Sequence, residues 1–191
     1  DPDNFYAYAS GAPAFSMIPY TGATTVSGGT LDVAQDLKSA SITVTAAGIL
    51  RGQGSSVGPV SVNLGGTIAP GSGLGLIAIN PVDYPGISNT ISTNVIGTFT
   101  VSNTVTFGAT GNGLFTASLD YGAVDRLVVQ GNLTYGGTLN MVNSGVQPYT
   151  NGLALPMFSA TSYSGTVPTV YPVVPAPGLV WNTSTLMTDG N

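Results

Sequence analysis

Thr25-Val26-Ser27-Gly28-Gly29-Thr30-Leu31, Thr43-Val44-Thr45-Ala46-Ala47-Gly48-Ile49-Leu50 and Ser61-Val62-Asn63-Leu64-Gly65-Gly66-Thr67-Ile68 are three versions of one phrase. Val26, Val44 and Val62 stand 18 residues apart, and Leu31, Leu50 and Ile68 stand 19 and 18 apart. A repeat of this length suits one coil of a β-solenoid, in which each short strand pairs with its equivalent one coil away, roughly 4.8 Å along the axis. Within a unit the apolar residues alternate with Thr, Ser or Asn, as Val60, Val62 and Leu64 do with Ser61 and Asn63. That alternation is what a strand with one inward face requires. Gly28-Gly29, Gly48 and Gly65-Gly66 fall where the coil must turn a corner, since glycine admits positive φ without a Cβ clash.

Outward from these three units the pattern is interrupted and then resumes. Residues 71 to 97 carry Pro81 and Pro85 among Gly and Asn and read as an excursion, whereas Phe99 to Leu119 reads as further strands. The phrase returns as Leu133-Thr134-Tyr135-Gly136-Gly137-Thr138-Leu139-Asn140-Met141, preceded by Leu127-Val128-Val129. From Val146 to Pro177 the prolines thicken (Pro148, Pro156, Pro168, Pro172, Pro175, Pro177), and proline cannot donate to a ladder, so edge strands, turns or a cap are expected there. The expected fold is all-β: a parallel β-helix or β-solenoid of about 18-residue coils over residues 23–191, ending in a Pro-rich cap region, with residues 1–22 as an irregular N-terminal extension.

Composition narrows the function. Of 191 residues 42% are hydrophobic, enough for one domain with a continuous core. Only 6% are charged, against about 25% in an ordinary globular chain. The net charge of -5 arises from eight Asp against Lys38, Arg51 and Arg126, with no Glu. Three scattered cations cannot form the basic patch that a nucleic acid or an anionic lipid surface demands, so neither is expected as a partner. No apolar run approaches the ~20 residues of a membrane helix, and no leader-type opening is present, so the sequence reads as a mature form without membrane insertion. With no Cys and no His, thiolate nucleophiles and thiolate metal sites are excluded, and no cofactor or metal is expected.

Three further phrases carry a family resemblance. Gly65-Gly66-Thr67-Ile68-Ala69-Pro70-Gly71 is one; Asp125-Arg126-Leu127-Val128-Val129-Gln130-Gly131-Asn132-Leu133, running into Gly136-Gly137-Thr138-Leu139, is another; Pro177-Gly178-Leu179-Val180-Trp181-Asn182-Thr183-Ser184-Thr185-Leu186 is the third. Together they resemble the autotransporter-associated β-strand repeat proteins, bacterial extracellular sequences related to autotransporter passengers. The resemblance spans roughly residues 25 to 188 and implies a parallel β-helix that is secreted or held at the bacterial cell surface. The sequence departs from a complete autotransporter in having no amphipathic strand series after Leu186 that would build a membrane barrel.

Chemistry is sparse. Gly54-Ser55-Ser56-Val57-Gly58 fits the Gly-x-Ser-x-Gly pattern, yet there is no His to act as base, and a turn is the better reading. Gly71-Ser72-Gly73-Leu74-Gly75 resembles a phosphate-cradling loop without a following helix or nearby Lys, and reads as a plain loop. Asp32 with Asp36, and Asp120 with Asp125 and Arg126, are the remaining candidates for acid and base work, which needs two carboxylates about 5 to 9.5 Å apart. The simpler reading of Asp125-Arg126 is a surface ion pair or a turn ahead of a strand. Asn132-Leu133-Thr134 and Asn182-Thr183-Ser184 match the glycosylation sequon, and Trp181 suits either a core position or sugar stacking.

The reading that follows is an extracellular structural subunit, not an enzyme, that self-associates into a homopolymeric filament or matrix fibre. An adhesin or glycan-binding module, with a surface glycan as partner, is the alternative; a polysaccharide lyase or hydrolase is the third. Phe5, Tyr6, Tyr8, Phe15, Met17, Ile18 and Tyr20 make the N-terminal extension apolar, and the alternation of Tyr6 with Tyr8 and of Phe15 with Met17 fits a strand added to a neighbouring subunit. Without His, and with its Asp groups ionised, the fold should be insensitive to pH near neutrality.

Overall fold

The computed structural model describes residues 20–71 and 96–191. These form sixteen strands and no helix. The first two repeats supply β1 (Ala23–Val26), β2 (Thr30–Val33) and β3 (Asp36–Leu37), then β4 (Ser41–Val44), β5 (Ile49–Gly52) and β6 (Ser55–Ser56). The third repeat begins with β7 (Val60–Val62) and β8 (Thr67–Pro70), and β9 (Thr98–Val101) follows; the expected excursion lies, over residues 72–95, outside the described residues. Next come β10 (Val105–Phe107), β11 (Asn112–Ser118), β12 (Ala123–Val124), β13 (Arg126–Tyr135), β14 (Thr138–Asn143), β15 (Phe158–Gly165) and β16 (Thr169–Tyr171).

Almost every pairing is parallel and joins a strand to its equivalent in the next repeat. Val26 lies beside Val44 and Val44 beside Val62, while Leu31 pairs Leu50 and Leu50 pairs Ile68. Beyond the third repeat the spacing widens: Val62 pairs Phe107, and Val105 pairs Leu133, which pairs Tyr163. The strands make two curled sheets. One has seven strands, in the order β16-β14-β11-β8-β5-β2 with β12 antiparallel on β11; the other has nine, β1-β4-β7-β10-β13-β9-β6-β3 with β15 on β13. The ten-residue β13 unites two strand stacks, pairing β9 through Leu127–Val129 and β10 through Leu133 and Thr134. The result is an all-β protein of parallel strands compatible with a β-solenoid.

Stacking of like on like builds the core. Ile42, Val44, Val60, Val62, Leu50 and Ile68 are each at most 1% exposed, and every one sits at an alternate strand position. Phe99, Leu127 and Phe158 continue the interior, with Phe158 edge-on to both Phe115 and Tyr135. The column Leu50–Ile68 reaches Gly113 and then Leu139, and a Leu139 methyl together with the Phe115 ring fills the space that a Cβ on Gly113 would enter. Leu64 breaks the expected alternation. It is 72% exposed with φ 47°, because the chain has already begun its corner there.

Two corners explain the glycines. A methyl on Gly48 would overlap the carbonyl oxygen of Val26, and one on Gly66 that of Val44, so close backbone approach between repeats, and not positive φ, holds glycine at these positions. Positive φ falls just before them, at Gly65 (82°) in one repeat and at the equivalent Ala47 (64°) in the preceding one. An alanine pays a Cβ penalty in this region that glycine escapes. Ala47→Gly should therefore stabilise the fold by about 0.5–1 kcal/mol after the greater freedom of glycine in the unfolded chain is offset; chemical denaturation would measure it, and no change in midpoint would contradict it.

Among the described residues, the Pro-rich stretch holds β15 and β16. Pro168 precedes β16 and Pro172 follows it, and β16 is the terminal strand of its sheet. Beyond it the chain returns to the core: Leu186 is buried, Trp181 and Met187 pack against the interior, and the Gly190 carbonyl accepts from the Phe158 N–H. Phe5, Tyr6, Tyr8, Phe15, Met17 and Ile18 lie outside the described residues, as does the 72–75 part of the glycine loop. Tyr20 is described, half exposed, with its hydroxyl donating to the Ala23 carbonyl at 2.6 Å.

Candidate functional site

The four carboxylates singled out from the sequence are each engaged by the fold, and in different places. Asp32 on β2 accepts from Arg51 Nε at 2.9 Å, the two side chains being in register on adjacent strands. Asp36 lies in the other sheet, where it accepts from the Ser55 hydroxyl and from Lys38 Nζ at 3.0 Å; the Ser55 bond chiefly, then Lys38, holds its carboxyl below the usual range. Asp120 is exposed and accepts from the backbone N–H groups of Val146 (2.9 Å) and Gln147 (2.7 Å), anchoring the loop after β14.

Asp125 departs most from expectation. It is 1% exposed and forms no ion pair with Arg126, whose side chain is exposed, because successive residues of an extended chain point to opposite faces. Its oxygens instead accept from the N–H of Gly97 at 3.0 Å and of Thr116 at 2.7 Å, tying three chain segments together. Burial pushes its pKa up to about 6 against the opposing pull of those hydrogen bonds. One acid group therefore titrates closer to neutrality than the sequence suggests.

The Gly-x-Ser-x-Gly serines are part of β6. Ser55 donates to Asp36, and Ser56 is buried with its hydroxyl on the Gly58 carbonyl. Of the two sequons, Asn132 has its amide engaged within β13 and β15, donating to Thr134 and Ser164 at 2.9 Å each and accepting from Ser162 at 3.0 Å. Asn182 is exposed and accepts from the Ser184 N–H at 3.1 Å. Among the described residues no three metal-ligating side chains gather, and no helix is long and apolar enough to cross a membrane.

One concavity among the described residues was missed in the sequence apart from Trp181. It is a groove of about 580 Å³ between the end of β14, the loop that follows it and the C-terminal segment. Buried Met141, Met157 and Leu186 line it together with Tyr149 and Trp181, and exposed Thr150, Asn151 and Asn182 complete it. Tyr149 meets Trp181 edge-to-face at 5.2 Å, and the indole Nε1 donates to the Pro172 carbonyl at 2.6 Å, which fixes the ring. Burial raises the pKa of the Tyr149 phenol, so it stays a neutral donor.

No protein-family model matches the chain, and neither a curated protein nor a solved structure matches it. The fold defines an all-β protein of parallel strands in which Asp32, Asp36, Asp120 and Asp125 each make strand or loop contacts.

Proposed function

We propose that this chain is an extracellular structural subunit, a parallel β-solenoid with coils of about 18 residues in its first half and a C-terminal cap, that self-assembles into a surface filament or matrix fibre. The observation that carries this reading is the state of the first repeat. β1, β2 and β3 each stand at the end of a strand stack, and among the described residues nothing pairs their outer edges. Such an end presents backbone donors and acceptors to any chain that can add strands. The very low charge offers little electrostatic opposition to stacking. The resemblance to autotransporter-associated repeats supports the extracellular, bacterial cell-surface setting.

The apolar extension with Phe5, Tyr6, Tyr8, Phe15, Met17, Ile18 and Tyr20 is the strand we assign to the neighbouring subunit. Negative-stain microscopy of the purified chain should show regular fibres, and deleting residues 1–20 should abolish them while leaving the β circular dichroism and melting transition intact. Monomers of the full chain at all concentrations would refute assembly. A truncated chain that still polymerises, or that no longer folds, would refute strand exchange. The adhesin reading gains support from the groove beside Trp181.

A further inference from the structure

Asn followed directly by Gly occurs twice in the chain, at Asn112-Gly113 and at Asn151-Gly152. In such a pair the backbone nitrogen of the glycine can attack the side-chain carbonyl carbon of the asparagine, because no Cβ on the second residue crowds the approach. Two conditions decide whether it does. The nitrogen must be free of a hydrogen bond, and the asparagine backbone must rotate until that nitrogen faces the side-chain carbon.

The fold separates the two pairs on both counts. Asn112 and Gly113 open β11, where Gly113 stands between Ile68 of β8 and Leu139 of β14, so the ladder on either edge has to open before the backbone can rotate. The Asn112 amide is also engaged, donating to the Gly66 carbonyl at 3.4 Å. Asn151 and Gly152 are both exposed, in the loop between β14 and β15, at the centre of a turn closed by the Leu153 N–H donating to the Thr150 carbonyl at 3.3 Å. Gly152 has φ 80°, and nothing lies within 4 Å of the place a Cβ would occupy. Among the described residues neither the Asn151 amide nor the Gly152 N–H has a hydrogen-bond partner. Asp189-Gly190 could close the same ring, but Gly190 is buried with its N–H on the Thr185 carbonyl at 3.3 Å, and Asp189 Oδ1 accepts from the Asn191 N–H at 3.1 Å.

We propose that Asn151 is a self-modification site, converted by the neighbouring Gly152 nitrogen to aspartate and isoaspartate. The nitrogen gives up its proton to solvent base and bonds to the Asn151 side-chain carbon; the side-chain carbon–nitrogen bond breaks, ammonia leaves and a succinimide ring closes. Water then opens the ring at either carbonyl, so one water is consumed for each ammonia released. The new carboxylate lies on the lining of a groove that otherwise has no charged side chain, and it adds one negative charge to the net -5. The site is independent of the open edges at the first repeat, so it stands whether or not the chain polymerises.

The test is to incubate the full chain in neutral and in mildly alkaline buffer, then read its peptides by mass spectrometry and its isoaspartate by enzymatic methylation. The Asn151 peptide should gain the mass difference of hydroxyl over amide, faster at the higher pH, while Asn112 converts at least about tenfold more slowly because its strand must first open. In denaturant the two should convert at comparable rates. Asn151→Gln should remove the acidic species at this position and leave the melting temperature unchanged. Gly152→Ala should slow conversion at least about tenfold, since a methyl group obstructs ring closure. An Asn151 that stays intact, an Asn112 that reacts as fast in the folded chain, or a difference between them that persists in denaturant overturns the proposal. Aspartate without isoaspartate, formed at a rate that Gly152→Ala leaves unchanged, would mean direct hydrolysis and overturns it as well.

Discussion

Val44→Asp will prevent the chain from reaching its native fold, or lower its stability by more than about 4 kcal/mol. Val44 is fully buried, with Val26 beside it on one side and Val62 on the other, so a carboxylate there has no solvent and no cation within the stack. Two terms act together. Removing the buried aliphatic group forfeits about 1.5–3 kcal/mol of burial, and an ionised carboxylate in an apolar column either stays charged at great cost or takes up a proton. The insult also propagates, because the ladder shares its backbone hydrogen bonds between repeats: the Thr45 N–H donates to the Val26 carbonyl and the Asn63 N–H to the Val44 carbonyl, both at 2.9 Å. Circular dichroism and thermal melting read the outcome, with Thr43→Asp on the outward face of the same strand as the matched control. A Val44→Asp chain that melts like the parent would mean that the column is not the core.

The second large effect is expected at Asp125. Asp125→Ala should destabilise the fold by about 2–5 kcal/mol, since the N–H groups of Gly97 and Thr116 would lose their acceptor at a largely buried corner. The pH dependence of the parent protein identifies the cause. The Asp125 carboxyl titrates at about 6 in the folded chain, against about 3.9 when unfolded, so the folded state holds the proton more tightly. Its contribution is therefore fully present below about pH 4 and is lost as pH rises through 6, for a total of about 3 kcal/mol. Between pH 6 and 8 only the end of that decline remains, so the expectation of near-neutral insensitivity keeps its upper half and fails at its acid edge. Asp125→Ala should erase the decline between pH 4 and 6 while leaving other acid effects, such as that of Asp36, in place. Parallel denaturation curves for parent and variant across this window would show that Asp125 does not titrate as described.

The repeats were legible where nothing is inserted between them. Val26, Val44 and Val62 are at constant spacing because each repeat returns to the same corner after the same number of residues, and stacking selects the same residue type at each return. The return of the phrase at Leu133 to Met141 was readable for the same reason, with Leu133 beside Val105 and Thr138 beside Asn112. Once segments of unequal length intervene, equivalence no longer shows as a period. Phe107 continues the column of Val62 across 45 residues, and Leu139 and Phe115 together fill a place that register assigns to Gly113; both are matters of volume, not of pattern.

The site divides in the same way. The residues of this chain include no Cys and no His, so thiolate chemistry and a His-based triad could be set aside from composition by itself. Which Asp is solvated and which is buried depended on the chain closing round it: the groups that hold Asp125, at Gly97 and Thr116, are 28 and 9 residues away. The groove required still more, since Met141, Tyr149, Trp181 and Asn191 come from separate turns of the chain and share no motif. The constant spacing of the repeat and its alternation of apolar and polar residues determined which strands pair and which faces turn inward; only the tertiary packing of the irregular segments decided where a buried carboxylate and an uncharged groove would lie, because those depend on contacts whose spacing the repeat does not set.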